Sequence, residues 1–305
     1  MARDPVCGMK VDESTATFSA RYGEQVCYFC AQGCLLAFAK EPEKYVGQAG
    51  QLLHIKLARG VPGTEPDGPL IRVRGLRKIY QRGKEEVAAL RGVDLDIHPG
   101  EFVTVMGPSG CGKSTFLHLV GGIDRPSDGQ IVVDGQDIGR MGEEQLTRFR
   151  REKVGFIFQF YNLLPTLTAL ENVELPLVAL GYPKAGRRKM AQATLELVGL
   201  GDRLTHKPNE LSGGEQQRVA IARAIVANHR LILADEPTGD LDSAASAAVV
   251  GLMRELNEKL GLTFVVVTHD PEVGAQGTRT VLLKDGRVVK DEKALRQKSH
   301  LPPSL

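Results

Sequence analysis

Short apolar runs recur from residue 70 onward at strand length, separated by segments of helical periodicity. Leu70–Val73, Glu101–Met106, Gln130–Val133, Leu231–Ala234, Thr263–Val267 and Thr280–Leu283 predict strands. Several are apolar at successive rather than alternate positions, the pattern of strands buried on both faces of a parallel sheet. Ala244–Leu260 reads as a helix between the fourth and fifth of these runs. Thr168–Ala227 is mostly helical in pattern, interrupted at Pro176, Pro183 and Pro208, and reads as a helical insertion. Strands alternating with helices predict an α/β fold. No apolar run approaches the length that spans a bilayer; Phe264–Val267 is strand-sized.

The chain before residue 70 has a different character. Four of the five cysteines fall between Cys7 and Cys34, and none follows Cys111. Gly60–Pro69, GVPGTEPDGP, is rich in turn and breaker residues and reads as a linker. The expected division is a small cysteine-rich α+β domain over 1–48, a linker over 49–69, a large α/β domain over 70–290 and a basic tail over 291–305. A chain of 305 residues, 42% hydrophobic, can bury more than one core. The net charge of +2 favours no polyanionic partner; Arg148–Arg151 and Arg187–Lys189 read as solvated helix faces, and no nucleic acid is expected to bind. The opening MARDPVCGMKVDE carries acidic residues and no apolar stretch, so no secretory signal is expected and the cysteines should stay reduced.

The candidate chemistry centres on Gly107–Thr115, GPSGCGKST, placed between the strand-like FVTVM and the helix-like STFLHLV. A strand, a glycine-rich turn and a helix in that order form a phosphate-binding loop. Gly107, Gly110 and Gly112 permit the tight turn, and the backbone through Ser109, Cys111 and Thr115 directs its amides at the phosphates of ATP. Lys113 reaches the β- and γ-phosphates, and Ser114 offers its hydroxyl to Mg2+. Leu231–Pro237, LILADEP, is an apolar strand ending in two carboxylates: Asp235 is the expected outer-sphere holder of Mg2+, and Glu236 the group that orients and polarises the attacking water. Gln159, after the strand-like VGFIF, could contact both Mg2+ and that water. In LSGGEQQR, Ser212, Gly213 and Gly214 precede a helical run, Glu215–Ala227, which makes a second anion-binding element. Since Gly107–Thr115 already serves the chain's own nucleotide, the second element implies a second copy, with ATP sandwiched between the two.

In their order these motifs resemble the ATP-binding-cassette family, whose signature is LSGGE, over about residues 70 to 290. The resemblance implies a P-loop ATPase domain with a helical subdomain. It matches Tyr80 to the aromatic that stacks on adenine, Gln159 to the Q-loop, Asp242 in GDLD to the D-loop, and His269 to the switch histidine that contacts the γ-phosphate. With Glu236, His269 and Gln159 all present, an active ATPase is expected. FQFYNLLPTLTALENVELPL and ADEPTGDLDS resemble ATPase subunits of the lipoprotein-release and macrolide-exporter type. Those work as dimers with separate permeases, whose coupling helix enters a groove near the Q-loop. The implied location is the cytoplasmic face of the plasma membrane, peripheral through the permease.

In the head, Cys7, Cys30 and Cys34 are spaced C-x22-C-x3-C, with Cys30 and Cys34 on one face of an expected helix, Ala31–Lys40. DPVCGM, YFCAQGC and PEKY resemble the YHS domain, a small TRASH-like metal-binding module of heavy-metal handling proteins, over roughly residues 4 to 46. Cys27 stands where an aromatic is usual. It could complete a four-sulfur set favouring Zn2+; without it, three thiolates suit Cu(I) or Ag(I). A domain this small has little core and often needs a metal or other staple. Cys111 is expected to expose a thiol near the nucleotide, so that ATP would slow its alkylation. Two readings follow: the ATPase subunit of a transport or mechanotransmission complex linked to heavy-metal handling, or a soluble metal-responsive ATP-dependent factor that acts without a permease.

Overall fold

The computed structural model describes residues 1–40, 42–46, 52–57, 68–83 and 85–293. The head opens with a two-stranded pair, β1 (Ala2–Arg3) and β2 (Lys10–Val11), followed by β3 (Phe18–Tyr22), β4 (Gln25–Phe29), α1 (Gln32–Lys40), the short α2 (Glu43–Val46) and β5 (Leu52–Leu57). Strands β4, β3 and β5 form an antiparallel sheet with β3 in the centre. Alternation along β4 buries Cys27 and Phe29, and α1 covers this sheet with Leu35 and Phe38. Phe38 packs edge-on to Tyr22 at 5.9 Å and tilted to Phe29 at 5.1 Å, a small aromatic core. Leu52–Leu57 lie within the stretch expected to be linker. They pair with β3, so the head's sheet extends past residue 48. Residues 60–67 of the expected linker lie outside the described residues.

The large domain begins with two long antiparallel strands, β6 (Ile71–Arg82) and β7 (Glu85–Ile97), and then β8 (Phe102–Met106), which feeds α3 (Lys113–Val120). Next come β9 (Asp128–Val133), β10 (Gln136–Asp137), α4 (Glu143–Lys153) and β11 (Val154–Ile157). The helical insertion is α5 (Ala169–Ala179), α6 (Lys184–Leu197) and α7 (Gly213–Ile225). The chain closes with β12 (Leu231–Asp235), α8 (Ser243–Leu260), β13 (Thr263–Thr268), the short α9 (Pro271–Gly274), β14 (Arg279–Lys284) and β15 (Arg287–Lys293). Residues 294–305, most of the expected tail, lie outside the described residues. Pro183 precedes α6, as a helix start allows, and Pro208 lies in a 3-10 turn; Pro176, expected to interrupt, sits inside α5.

The central sheet has the order β11-β12-β13-β8-β14-β15, parallel except for β15. A second, antiparallel sheet, β10-β9-β6-β7, lies against one face. Strand β13 shows why its sequence is apolar throughout. Val265 and Val267 enter the core shared with the antiparallel sheet and α3, while Phe264 and Val266 enter the opposite core. That second core continues without a break through Leu195 and Val219 of the helical insertion into Leu35 and Phe29 of the head. No helix among the described residues is long and apolar enough to cross a membrane.

Phe264 is fully buried and its ring stacks on Phe102 with centroids 5.3 Å apart. Phe264→Ala should therefore cost about 3–5 kcal/mol and lower the melting temperature by on the order of 10 °C. Thermal unfolding followed by circular dichroism checks this.

Candidate functional site

Because β13 lies between β12 and β8, the carboxyl ends of three neighbouring parallel strands meet at one edge, where such sheets place ligands. Strand β8 delivers the loop Gly107–Thr115, β12 delivers Asp235 and Glu236, and β13 delivers His269. Gly112 caps α3 with φ 105°, and a Cβ there would meet the Ala89 carbonyl oxygen at 2.5 Å, so only glycine fits. Lys113 is buried and donates to the carbonyl oxygens of Gly107 (2.8 Å) and Pro108 (3.2 Å). Its ammonium stands 3.9 Å from Glu236 Oε1.

Ser114 Oγ donates to Asp235 Oδ1 at 2.9 Å, which brings together the two groups expected at Mg2+. Burial raises the Asp235 carboxyl, against the bond from Ser114 and the neighbouring His118. Glu236 has a left-handed backbone, φ 44°, and its N–H donates to Val267 O at 3.0 Å. This bend turns its carboxylate toward the next strand, where Oε1 meets His269 Nδ1 at 3.0 Å and Oε2 accepts from the His269 amide at 3.3 Å. Tyr80, at the end of β6, is 38% exposed. Its hydroxyl donates to Asp124 Oδ2 at 2.8 Å and also interacts with Thr115 of the loop, and the Lys78 ammonium lies 4.8 Å from its ring centre. The adenine-stacking candidate thus borders the phosphate loop.

Other expected residues have separate neighbours. Gln159 donates to Asp240 Oδ1 at 3.4 Å and lies against Gly239, in the GDLD segment, rather than on Ser114 or Asp235. Asp242 caps α8, accepting from the Ala245 amide at 2.7 Å. Ser212 caps α7 in a reciprocal box with Glu215, accepting its amide at 3.3 Å while Glu215 Oε2 accepts from Ser212 N at 2.8 Å. Gly213 faces Tyr161 and Leu241, and Gly214 faces Ala245. Cys111 corrects the expectation of an exposed thiol. It is 5% exposed, its sulfur turned in against Gly107, because the loop's curl points this side chain into the core above α3. His118, whose Nε2 is 3.7 Å from Asp235 Oδ2, and Asp124, which holds Tyr80, carried no motif that could single them out.

In the head, the ligand atoms of Asp4, Cys7, Cys30 and Cys34 all lie within 4.8 Å of one another. Cys7 Sγ and Cys30 Sγ are 3.2 Å apart. Cys27 does not join them: it is paired with Ala20 across β3 and β4, and the strand's alternation commits its side chain to the sheet's buried face. Asp4 stands in its place. Asp4 Oδ1 accepts from the amides of Val6 (2.8 Å) and Cys7 (3.2 Å), and Oδ2 accepts from the Cys30 amide (2.8 Å), so one carboxylate knots together both segments that carry the sulfurs. Hydrogen bonds from Cys30, Cys34 and the Met9 amide outweigh burial and lower the Cys7 thiol to about 3. Burial and the Cys7 charge raise Asp4. Three sulfurs with a carboxylate, close and shielded, fit a thiophilic ion either as a three-thiolate set oriented by Asp4 or as a four-group set that includes it.

A phosphate loop, a serine–aspartate pair and a glutamate held by a histidine, on adjacent parallel strands, define a P-loop ATPase with a helical subdomain. Residues 90–239 match the ABC transporter family model, and residues 2–49 match the YHS domain. An uncharacterized ABC transporter ATP-binding protein of Thermotoga maritima is 53% identical over 211 residues, covering 69% of this chain and 90% of that one. The macrolide export ATP-binding/permease protein MacB 1/2 of Paracoccus denitrificans is 51% identical over 230 residues, 75% of this chain but 34% of that protein's length. The dimeric structure of the ATP-binding cassette MJ0796 in a post-hydrolysis state, bound to ADP and Pi, superposes with a TM-score of 0.69 at 46% identity, covering 74% of this chain and 99% of that one. The chain belongs to the ATP-binding-cassette family, as an ATPase carrying a YHS domain at its N-terminus.

With Cys111 buried, a thiol reagent should modify it slowly in the native protein whether or not ATP is present, and readily once the protein is unfolded. Mass-spectrometric counting of labelled cysteines distinguishes this from a thiol that only nucleotide shields.

Proposed function

We propose that two copies of this chain enclose two ATP molecules, each between Gly107–Thr115 of one copy and Ser212–Gly214 of the other, and that hydrolysis drives a separate membrane permease. The observation that carries the reading is the convergence of Lys113, the Ser114–Asp235 pair and the Glu236–His269 pair at the carboxyl edge of β8, β12 and β13. Two further observations favour a second copy. Ser212 and its glycines lie against Glu215, Tyr161, Leu241 and Ala245 rather than against Gly107–Thr115, and a solved relative at 46% identity is a dimer bound to ADP and Pi. The permease reading draws on the MacB relatives, of which this chain matches about a third of the length (34%). It also draws on Phe160 and Leu164, 72% and 47% exposed beside Gln159, an apolar surface suited to a partner helix.

The residues divide the work as follows. Tyr80 stacks on the adenine, and the loop amides and Lys113 grip the phosphates. Ser114 and Asp235, with Gln159 moving in from Asp240, would hold Mg2+, which when bound neutralises charge on the β- and γ-phosphates. Glu236 orients a water and accepts its proton as the new O–P bond forms and the P–O bond to ADP breaks, the bonding pair leaving with ADP. His269, held through Nδ1 by Glu236, keeps Nε2 for a γ-phosphate oxygen. In the head, Cys7, Cys30 and Cys34 with Asp4 bind a thiophilic ion, Cu(I), Ag(I) or Zn2+, and link the cassette to heavy-metal handling.

Glu236→Gln keeps the shape and removes the base. Hydrolysis should fall by about 10²–10⁴-fold, and light scattering with ATP should show a stable dimer; a monomer under those conditions rules out the sandwich. After anaerobic purification, metal analysis should give about one ion per chain. That ion should be lost in Cys30→Ser/Cys34→Ser and kept in Cys27→Ser.

A further inference from the structure

Both segments that carry the cysteines touch the ATPase domain. Met9 lies two residues beyond Cys7, and its thioether rests on Gly186 in the first turn of α6: a Cβ built there would stand 3.0 Å from Met9 Sδ. Gly33 lies between Cys30 and Cys34, and its face of α1 meets Thr194 of α6, with a built Cβ only 2.9 Å from Thr194 Oγ1. Between them, Gly8 approaches the Lys189 ammonium. Small residues on both sides let helix α1 and the Cys7 loop seat closely on α6.

The ATPase domain also adds an aromatic wall to the core that includes Cys7 and Cys34. Tyr182, in the loop before α6, is partly buried in the same core as Cys7 and Cys34. Its backbone carbonyl accepts from Arg187 Nη1 at 3.4 Å, and Arg187 Nε is 3.0 Å from Glu174 Oε2 of α5, which ties this wall to the helical subdomain. Helix α6 packs in turn on α7, which starts at the Ser212 cap.

We propose that the cysteine site is an interdomain site: binding of a thiophilic d10 ion by Cys7, Cys30 and Cys34 and seating of the head on α6 are one coupled equilibrium, with Tyr182 and Gly186 as the ATPase domain's share of it. This rests on the reading of the head as metal-binding and names what that binding acts on. When the three thiolates share one ion, the Cys7 loop and the first turn of α1 are fixed relative to each other, and so are Met9 and Gly33. The ion therefore favours the head conformation that matches α6. By reciprocity, any change that unseats the head weakens the ion's binding by the same factor.

The test uses the full reduced chain with Zn2+ and with Cu(I), each added alone against a chromophoric chelator. Hydrogen exchange of peptides over residues 184–197 should slow on loading in the wild type and remain unchanged in Cys30→Ser/Cys34→Ser. Gly186→Leu, which drives a side chain into Met9 without touching a thiol, should weaken ion affinity by about 5-fold or more and abolish the exchange difference. Its ATPase turnover without metal should stay at the wild-type value, which also reports that it folds. Tyr182→Ala serves as a second variant and should weaken affinity in the same direction. Stoichiometric binding with unchanged exchange over 184–197 and unaltered affinity in both variants overturns the coupling and leaves the metal site standing. No binding by the wild type overturns both.

Discussion

The parallel adjacency of β8, β13 and β12 is the constraint from which the chemistry of this protein follows. A parallel strand cannot be joined to its neighbour by a tight turn, so each runs to a loop at the same edge, and three such strand ends carry Lys113, Asp235, Glu236 and His269. The price is desolvation: Lys113 and Asp235 leave water, and each is compensated by short bonds to loop carbonyls or to Ser114. The same burial that makes β13 apolar on both faces makes it a rigid base. Both cores clamp it, and His269 and the Glu236 bend are fixed by the strand end rather than by the loops.

Much of this was legible in the sequence because the residues concerned answer to local demands. The loop Gly107–Thr115 needs glycines where no Cβ fits, LILADEP needs an apolar run ending in acid, and Ser212 followed by Glu215 is a capping box by spacing alone. What escaped depends on distant partners. Strand β7 opens with Glu85, Glu86 and Val87 exposed and contains a helix-like Ala-Ala-Leu, so only Val93–Ile97 at its far end alternates; its first half is a strand because β6 pairs with it. Strand β5 follows the expected end of the head and is recruited by β3. Pro176 reads as a break, yet α5 tolerates the missing donor.

The cysteines show the same division. The i and i+4 spacing of Cys30 and Cys34 reads as one helix face, yet only Cys34 lies in α1 while Cys30 sits between β4 and the helix; nor does spacing say anything about the face of a strand opposite Ala20, which commits Cys27 elsewhere. Asp4 was in plain view beside Cys7 and had no reason to be singled out until its carboxylate was seen accepting amides from both cysteine segments. The continuity of one apolar core from the central sheet through α6 into the head also lies beyond a sequence reading. Composition separates the head from the cassette, and packing joins them.

The left-handed backbone of Glu236 places function and fold in opposition at a single residue. A non-glycine side chain in that region costs about 1–2 kcal/mol, a cost the β12–β13 junction sustains in order to aim a carboxylate at His269. Glycine would relieve it. Selection for thermal endurance alone would then drift toward an inert protein at this position, and the persistence of glutamate in any descendant of this chain would be a sign that turnover, not mere folding, is still being selected.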